Sequence, residues 1–135
     1  MLLPLPQKEI EKVSLSNHLA LAVCRKAPGD RRQLSDLARA VYLTYYLQGY
    51  GYGDAPIELY QRARSAVDAA YARGQISAVW AIQESEAADL EEILCIQDLQ
   101  LAVVPVRVVL EAHARLDRYS RNDMPSPIPD LAKPH

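Results

Sequence analysis

The chain has 135 residues, of which 50% are hydrophobic and 24% are charged, and its formal net charge is -2. That balance is typical of one globular domain, and the small net charge argues against a generic polyanion binder, because non-specific nucleic-acid affinity depends on an excess of Lys and Arg. The two cysteines, with no second Cys or His at metal-ligand spacing, predict neither a disulfide framework nor a metal site, and they favour a reducing cytoplasm.

Residues 1–13 predict an extended N-terminal arm, because two prolines interrupt their apolar run. No basic segment precedes that run, so we expect neither a signal peptide nor a membrane anchor. A first helix is predicted over residues 15–26, with Ser14 or Ser16 at its start. Its expected buried face consists of Leu15, Leu19, Ala22 and Val23.

The second predicted helix, residues 31–48, is apolar on two opposed faces. Asp30 is a good N-cap and Gln33 occupies the capping-box position, so the start of this helix is well marked. One face carries Leu34, Leu37, Val41 and Tyr45, and the other carries Ala40, Leu43 and Leu47. Both faces need cover. Either this helix is the central element of the domain, or one face docks on another chain.

A third helix is predicted over residues 56–73, after a loop that contains three glycines. The loop has neither the lysine of a phosphate-binding loop nor a preceding strand, so we favour a structural role for its glycines. The third helix has a one-sided apolar stripe and is expected to end at Gly74. Its outer arginines, Arg62, Arg64 and Arg73, form the only plausible nucleic-acid face.

The rest of the sequence predicts two more helices and a disordered C-terminal tail. Residues 75–83 are expected to be a connector whose Trp80 fills the core, followed by a helix over residues 85–102. Pro105 can open a fifth helix over residues 105–120, or it can kink one long helix. The proline-rich tail, residues 121–135, is expected to be disordered. Altogether the sequence predicts an all-α, bundle-like domain of five helices over residues 14–120.

Tyrosines concentrate in and after the second helix, where five of the eight lie between Tyr42 and Tyr52. This composition is typical of a contact surface, although tyrosine rings can also cover the edge of a core with their hydroxyls in water. The predicted partner-binding residues are Arg39, Tyr42, Leu43, Tyr46, Leu47, Tyr50 and Tyr52. We expect this surface to bind a protein partner or a second copy of the chain, giving a homodimer.

No residue set forms a catalytic, cofactor-binding or metal-binding signature. The chain lacks the pair of Glu-x-x-His motifs of di-iron bundles and the Gly-x-Ser-x-Gly elbow of a serine nucleophile. His113 lies on the inward face of the fifth helix, where a hydrogen-bonded core histidine, with Gln97 as a candidate partner, is the favoured interpretation. We therefore predict no catalytic residue, no cofactor and no metal ligand.

Several short segments, residues 3–6 (LPLP), 14–15 (SL), 18–22 (HLALA) and 40–43 (AVYL), resemble small uncharacterised helical proteins of proteobacteria. Some of these are labelled Fis-family transcriptional regulators. The likeness spans most of residues 3–120 and implies an all-helical fold. Residues 105–121 lack the Arg- and Lys-rich helix-turn-helix of true Fis proteins, so no functional residue is transferred.

These patterns favour a non-enzymatic protein-binding or regulatory module. The alternative is a DNA-associated transcriptional regulator that uses the third helix. The third and least favoured hypothesis is an enzyme or metal protein built around His113 and the carboxylates of the fourth helix. A membrane is not expected as a partner, because no uncharged apolar run approaches the length that spans a bilayer.

Overall fold

The computed structural model describes residues 3–26, 29–121 and 126–129. Within these ranges the chain forms five helices, α1 (Gln7–Lys26), α2 (Arg31–Gly49), α3 (Ile57–Ser77), α4 (Glu84–Leu101) and α5 (Val106–Arg121). The prediction of an all-α, five-helix domain is confirmed. None of the described helices combines the length and the apolar character that crossing a bilayer requires.

The centre of the fold is α2, which packs against α1, α3, α4 and α5. Its first half belongs to a core shared with α1, α3 and α4, and its second half belongs to a core shared with α5 and the end of α4. Its buried apolar residues are Leu34, Leu37, Ala40, Val41, Leu43, Tyr46 and Leu47. Both apolar faces are therefore covered within one chain, which makes α2 the central element rather than a docking helix.

The first helix begins at Gln7, so the prediction of an extended arm through residue 13 is wrong. The Pro6 carbonyl accepts hydrogen bonds from the amides of Glu9 (3.0 Å) and Ile10 (3.2 Å), which closes the first turn. Glu9 also suits the positive end of the helix dipole. The serines expected as N-caps lie inside the helix, and the extended part of the arm is limited to residues 3–6.

The predicted buried face of α1 is also wrong. Leu15 and Leu19 are 62% and 54% exposed. Asn17 and His18 turn toward α4, where they hydrogen-bond to Gln97 (2.6 Å) and Asp98 (2.9 Å), and this orientation directs the two leucines outward. The residues that α1 does bury are Ile10, Ala20, Leu21 and Cys24. Hydrogen bonds to α4 thus determine which face of α1 is buried, and apolar periodicity alone predicts the wrong face.

Gly74 does not end α3, contrary to prediction, because the helix continues to Ser77 and ends at Ala78 in a left-handed conformation (φ 60°). Gly74 is buried under Trp80, and a Cβ atom at Gly74 would overlap the Trp80 ring. That ring also meets Tyr71 edge-on, with centroids 5.9 Å apart. The connector therefore spans residues 78–83, and Trp80 packs against the core.

Helices α4 and α5 are separate, which settles the alternative of one kinked helix. A turn over residues 102–105 divides them, and the Val106 amide donates to the Leu3 carbonyl (2.8 Å). Part of the predicted disordered tail is ordered, since Ile128 is buried and Arg64 donates to its carbonyl (2.6 Å). Residues 122–125 and 130–135 lie outside the described residues.

Candidate functional site

A cleft of about 320 Å³ opens between α1 and α5, which both pack on α2. Residues of α2 and α4 form its floor, and Leu5 of the N-terminal segment closes one end. Its walls carry Val13, Ser16 and Asn17 from α1, Asp36, Arg39, Ala40 and Leu43 from α2, Gln97 and Leu101 from α4, and Val109 and His113 from α5. Glu9 and Lys12 lie at its rim.

The two ends of the cleft differ in polarity. Asp36 and Arg39 come first along α2, and Leu43 follows about 10 Å further along the helix, at about 1.5 Å per residue. The polar end contains Ser16, Asp36, Arg39 and His113, whereas the apolar end contains Leu5, Val13, Leu43, Leu101 and Val109. The lining of the cleft is therefore amphipathic.

A buried amide forms part of the floor. Gln97 accepts a hydrogen bond from Asn17 Nδ2 (2.6 Å), and its own Nε2 lies 3.4 Å from both the Ala40 carbonyl and Thr44 Oγ1. Since the polar atoms of Gln97 have partners, this buried side chain can hold one orientation without a desolvation penalty. The expected pairing of Gln97 with His113 is wrong, because Asn17 takes that place.

His113 instead pairs with Arg39, whose Nη2 donates to His113 Nδ1 (3.0 Å) and to Asp117 Oδ1 (2.9 Å). Burial, helped by the Arg39 charge, lowers the pKa of His113, and Asp117 opposes this shift. In the neutral ring the proton lies on Nε2, because Nδ1 accepts from the guanidinium. Arg39 is thus held in the cleft wall by a carboxylate and an imidazole.

Asp36 differs from Arg39 because no hydrogen bond or ion pair joins its carboxylate to another described residue. The side chain is half-buried and lines the polar end of the cleft. Because Asp36 is only half-buried, its carboxylate stays open to solvent and to a group that enters the cleft.

Part of the tyrosine-rich surface predicted on α2 is buried, and there the prediction of an exposed face is wrong. Leu43 and Leu47 are 4% and 0% exposed, and Tyr46 is buried with them. Helix α5 covers these residues, with Arg115 stacked over the Tyr46 ring (4.7 Å to the centroid) and near Tyr50.

The other two tyrosines of that set are half-buried as well. Tyr42 packs against Tyr119, and its hydroxyl bonds to Ser126 (2.9 Å). Burial raises the pKa of Tyr42 to about 12. The backbone carbonyl of Tyr52 accepts a hydrogen bond from Gln100 Nε2 (2.8 Å). Of the predicted partner-binding residues, Arg39 and Leu43 do line a site, but that site is the cleft between α1 and α5.

The arginines predicted as a nucleic-acid face are engaged within the fold. Arg62 pairs with Asp89 (3.2 Å), and Arg73 pairs with Glu86 (2.7 Å) and also donates to the Ala81 carbonyl. Arg64 donates to the Ile128 carbonyl and pairs with Asp68 (3.4 Å). Because these arginines tie α3 to its neighbours, they do not form a free basic surface.

The glycine-containing loop after α2 is fixed by two glutamines. Gln48 exchanges two hydrogen bonds with the Ala55 backbone (both 2.9 Å), and Gln100 holds the Tyr52 carbonyl. Gly51 and Gly53 adopt positive φ angles of 100° and 148°, which other residues rarely adopt. These contacts agree with the structural role expected for the loop. Gln100 Oε1 is nevertheless buried without a partner among the described atoms.

Neither cysteine has the environment of a nucleophile. Cys24 is buried and Cys95 is exposed, and burial is the largest cause that raises the pKa of each thiol. Across the described ranges, no three His, Cys, Asp or Glu residues lie close enough to hold a metal ion. No family model, curated protein or solved structure matches this chain.

Sequence reasoning missed Asn17, Asp36 and Gln97 as cleft residues. One signal was available, because Gln97 interrupts an otherwise apolar stripe of α4 and a buried amide requires polar partners. Asn17 and Asp36 carried no such signal, since each is an ordinary polar residue of an amphipathic helix.

Proposed function

We propose that this protein is a non-enzymatic binding or regulatory module, and that it holds a small amphipathic group in the cleft between α1 and α5. The observation that carries the proposal is the cleft itself, whose 320 Å³ lies within the range of small-ligand pockets. A fixed amide floor, one apolar end and one polar end give it the composition of a binding site. Among the described residues no serine or cysteine hydrogen-bonds to a histidine or carboxylate, so none has the partner that activates such a nucleophile.

A fragment screen read by amide NMR tests this proposal. We expect amphipathic fragments to shift amide resonances of residues that line the cleft, such as Asn17, Ala40 and His113. The Ser16→Trp variant places a large ring at the cleft wall and should abolish these shifts. Leu15→Trp, at the neighbouring and exposed position outside the cleft, should leave them unchanged. Fragments that bind elsewhere, or that bind equally to Ser16→Trp, would refute the proposal.

A second candidate is association with another copy of the chain, and the exposed face of α1 favours it. Leu15 and Leu19 are exposed one turn apart, with exposed Ala22 on the same side, and an apolar stripe of this kind is typical of helix-helix contacts. We expect a concentration-dependent dimer in sedimentation that Leu15→Asp dissociates. A strict monomer at high micromolar concentration would remove this candidate.

Two further expectations belong to the same proposal. The cysteines are unpaired, which supports a reducing compartment such as the cytoplasm. DNA binding receives no support from α3, because Arg62, Arg64 and Arg73 are paired within the chain.

A further inference from the structure

We propose that the natural occupant of the cleft is an organic cation, namely an ammonium group on an aliphatic chain, with its head at Asp36 and its tail along the apolar end. This inference rests on the proposed function, because it names the ligand class of the same cleft. The charge of the head and the shape of the tail follow from separate observations.

The charge balance at the polar end favours a cation. The Arg39 charge is offset by Asp117 at 2.9 Å, and Arg39 also donates to the neutral His113 ring. Asp36 makes no hydrogen bond or ion pair with another described residue, so its carboxylate is the one at this end that a ligand can pair with. An anionic head group would lie beside this carboxylate and be repelled, whereas an ammonium group would form a charge-assisted hydrogen bond with it.

The cleft also presents hydrogen-bond acceptors that a donor group on the ligand can reach. Asn17 donates one amide proton to Gln97, and no described residue donates to Asn17 Oδ1. The cleft therefore offers two kinds of acceptor, the Asp36 carboxylate and the Asn17 carbonyl. An ammonium group has three donors, so it can donate to both the Asp36 carboxylate and the Asn17 carbonyl.

The tail of the ligand is defined by the apolar end. Leu43 lies about 10 Å from Asp36 along α2, which an extended chain of about eight carbons can span. At the rim, Glu9 and Lys12 carry opposite charges and do not discriminate between head groups.

The test compares three probes with the same tail, octylamine, octanoate and 1-octanol, titrated into the full chain near neutral pH. We expect octylamine to bind at least about tenfold more tightly than octanoate or octanol, since a hydrogen bond to a charged partner contributes this much or more. The cleft resonances should shift, and Ser16→Trp should prevent binding of octylamine.

Two matched variants isolate the carboxylate. Asp36→Asn keeps the side-chain shape but removes the charge, and we expect it to weaken octylamine binding about tenfold or more and to abolish the preference over octanol. Asp54→Asn makes the same change at an exposed carboxylate outside the cleft, and it should leave the affinity unchanged. Retention of full octylamine affinity by Asp36→Asn would overturn the inference.

The outcomes separate this inference from the proposed function. If all three probes bind the cleft equally, or octanoate binds best, the cation preference is wrong while the cleft remains a binding site. If no probe binds, the aliphatic ammonium is wrong, and the fragment screen decides the function independently. Octylamine binding that Ser16→Trp does not affect would place the amine elsewhere and overturn the inference.

Discussion

Gly74 lets the Trp80 ring pack directly on α3 because glycine has no side chain. The Trp80 ring occupies the position of a Cβ atom at Gly74, so Gly74→Ala must displace the ring or shift α3. We expect this substitution to lower the free energy of unfolding by about 1–3 kcal/mol in urea denaturation, as overpacking does. Gly49→Ala is the control, because a Cβ at this helix end meets nothing within 4 Å. The control should be neutral or stabilising, by up to about 1 kcal/mol.

The pKa of His113 predicts how stability depends on pH. Its pKa is lowered in the folded chain by burial and by Arg39, while the unfolded residue titrates near its ordinary value of about 6.5. As the pH falls below that value, the unfolded chain takes up a proton that the folded chain does not, so stability falls until the folded pKa is passed.

His113→Gln should remove this contribution. The difference in unfolding free energy between about pH 7.5 and about pH 5 should therefore be smaller in the variant than in the parent chain. Chemical denaturation at both pH values measures this difference. An unchanged pH dependence would show that His113 does not titrate differently on folding.

At the scale of the element, the N-terminus of α2 was predictable because its signals are local. The Asp30 carboxylate accepts from the Gln33 amide (2.9 Å), and Gln33 Oε1 accepts from the Asp30 amide (3.0 Å). We expect Asp30→Ala to reduce the unfolding free energy by about 1 kcal/mol. Thermal or urea denaturation measures the loss. Asp54→Ala, at an exposed loop carboxylate, should change little, and equal losses in the two variants would contradict the capping role.

Helix α1 was predicted less well, because its determinants lie elsewhere in the sequence. Serines are good N-caps, yet the helix begins at Gln7 because Pro6 can precede a helix and Glu9 suits its first turn. The buried face could not be read from periodicity, since it depends on hydrogen bonds to Gln97 and Asp98, which are 80 residues away in sequence. The sequence therefore predicted the cap of α2, which depends on neighbouring residues. It did not predict the orientation of α1, which depends on contacts with α4.

For the whole molecule, the fold could be predicted from local sequence signals, whereas the cleft depends on contacts between distant segments. The five-helix architecture follows from apolar periodicity and from the breaks at glycine and proline, which the sequence displays directly. The cleft is a gap between α1 and α5, two helices far apart in the chain, and its walls depend on the phase of α1. Of the cleft residues, Arg39 and Leu43 were assigned to an external surface, and His113 was named only in the third hypothesis.

The position of Leu47 gives the sharpest test of the overall packing. If the second face of α2 were an external docking surface, Leu47→Asp would dissociate an oligomer and leave each subunit folded. In the structure Leu47 is 0% exposed among α2, α4 and α5, so an aspartate there would place an unpaired charge in the core.

We expect the Leu47→Asp variant to lose its helical circular dichroism or to have an unfolding free energy at least about 3 kcal/mol lower. Leu110→Asp, at a position of α5 that is 63% exposed, should change the unfolding free energy by less than about 0.5 kcal/mol. A folded, cooperative Leu47→Asp monomer would mean that α2 is not the centre of the fold.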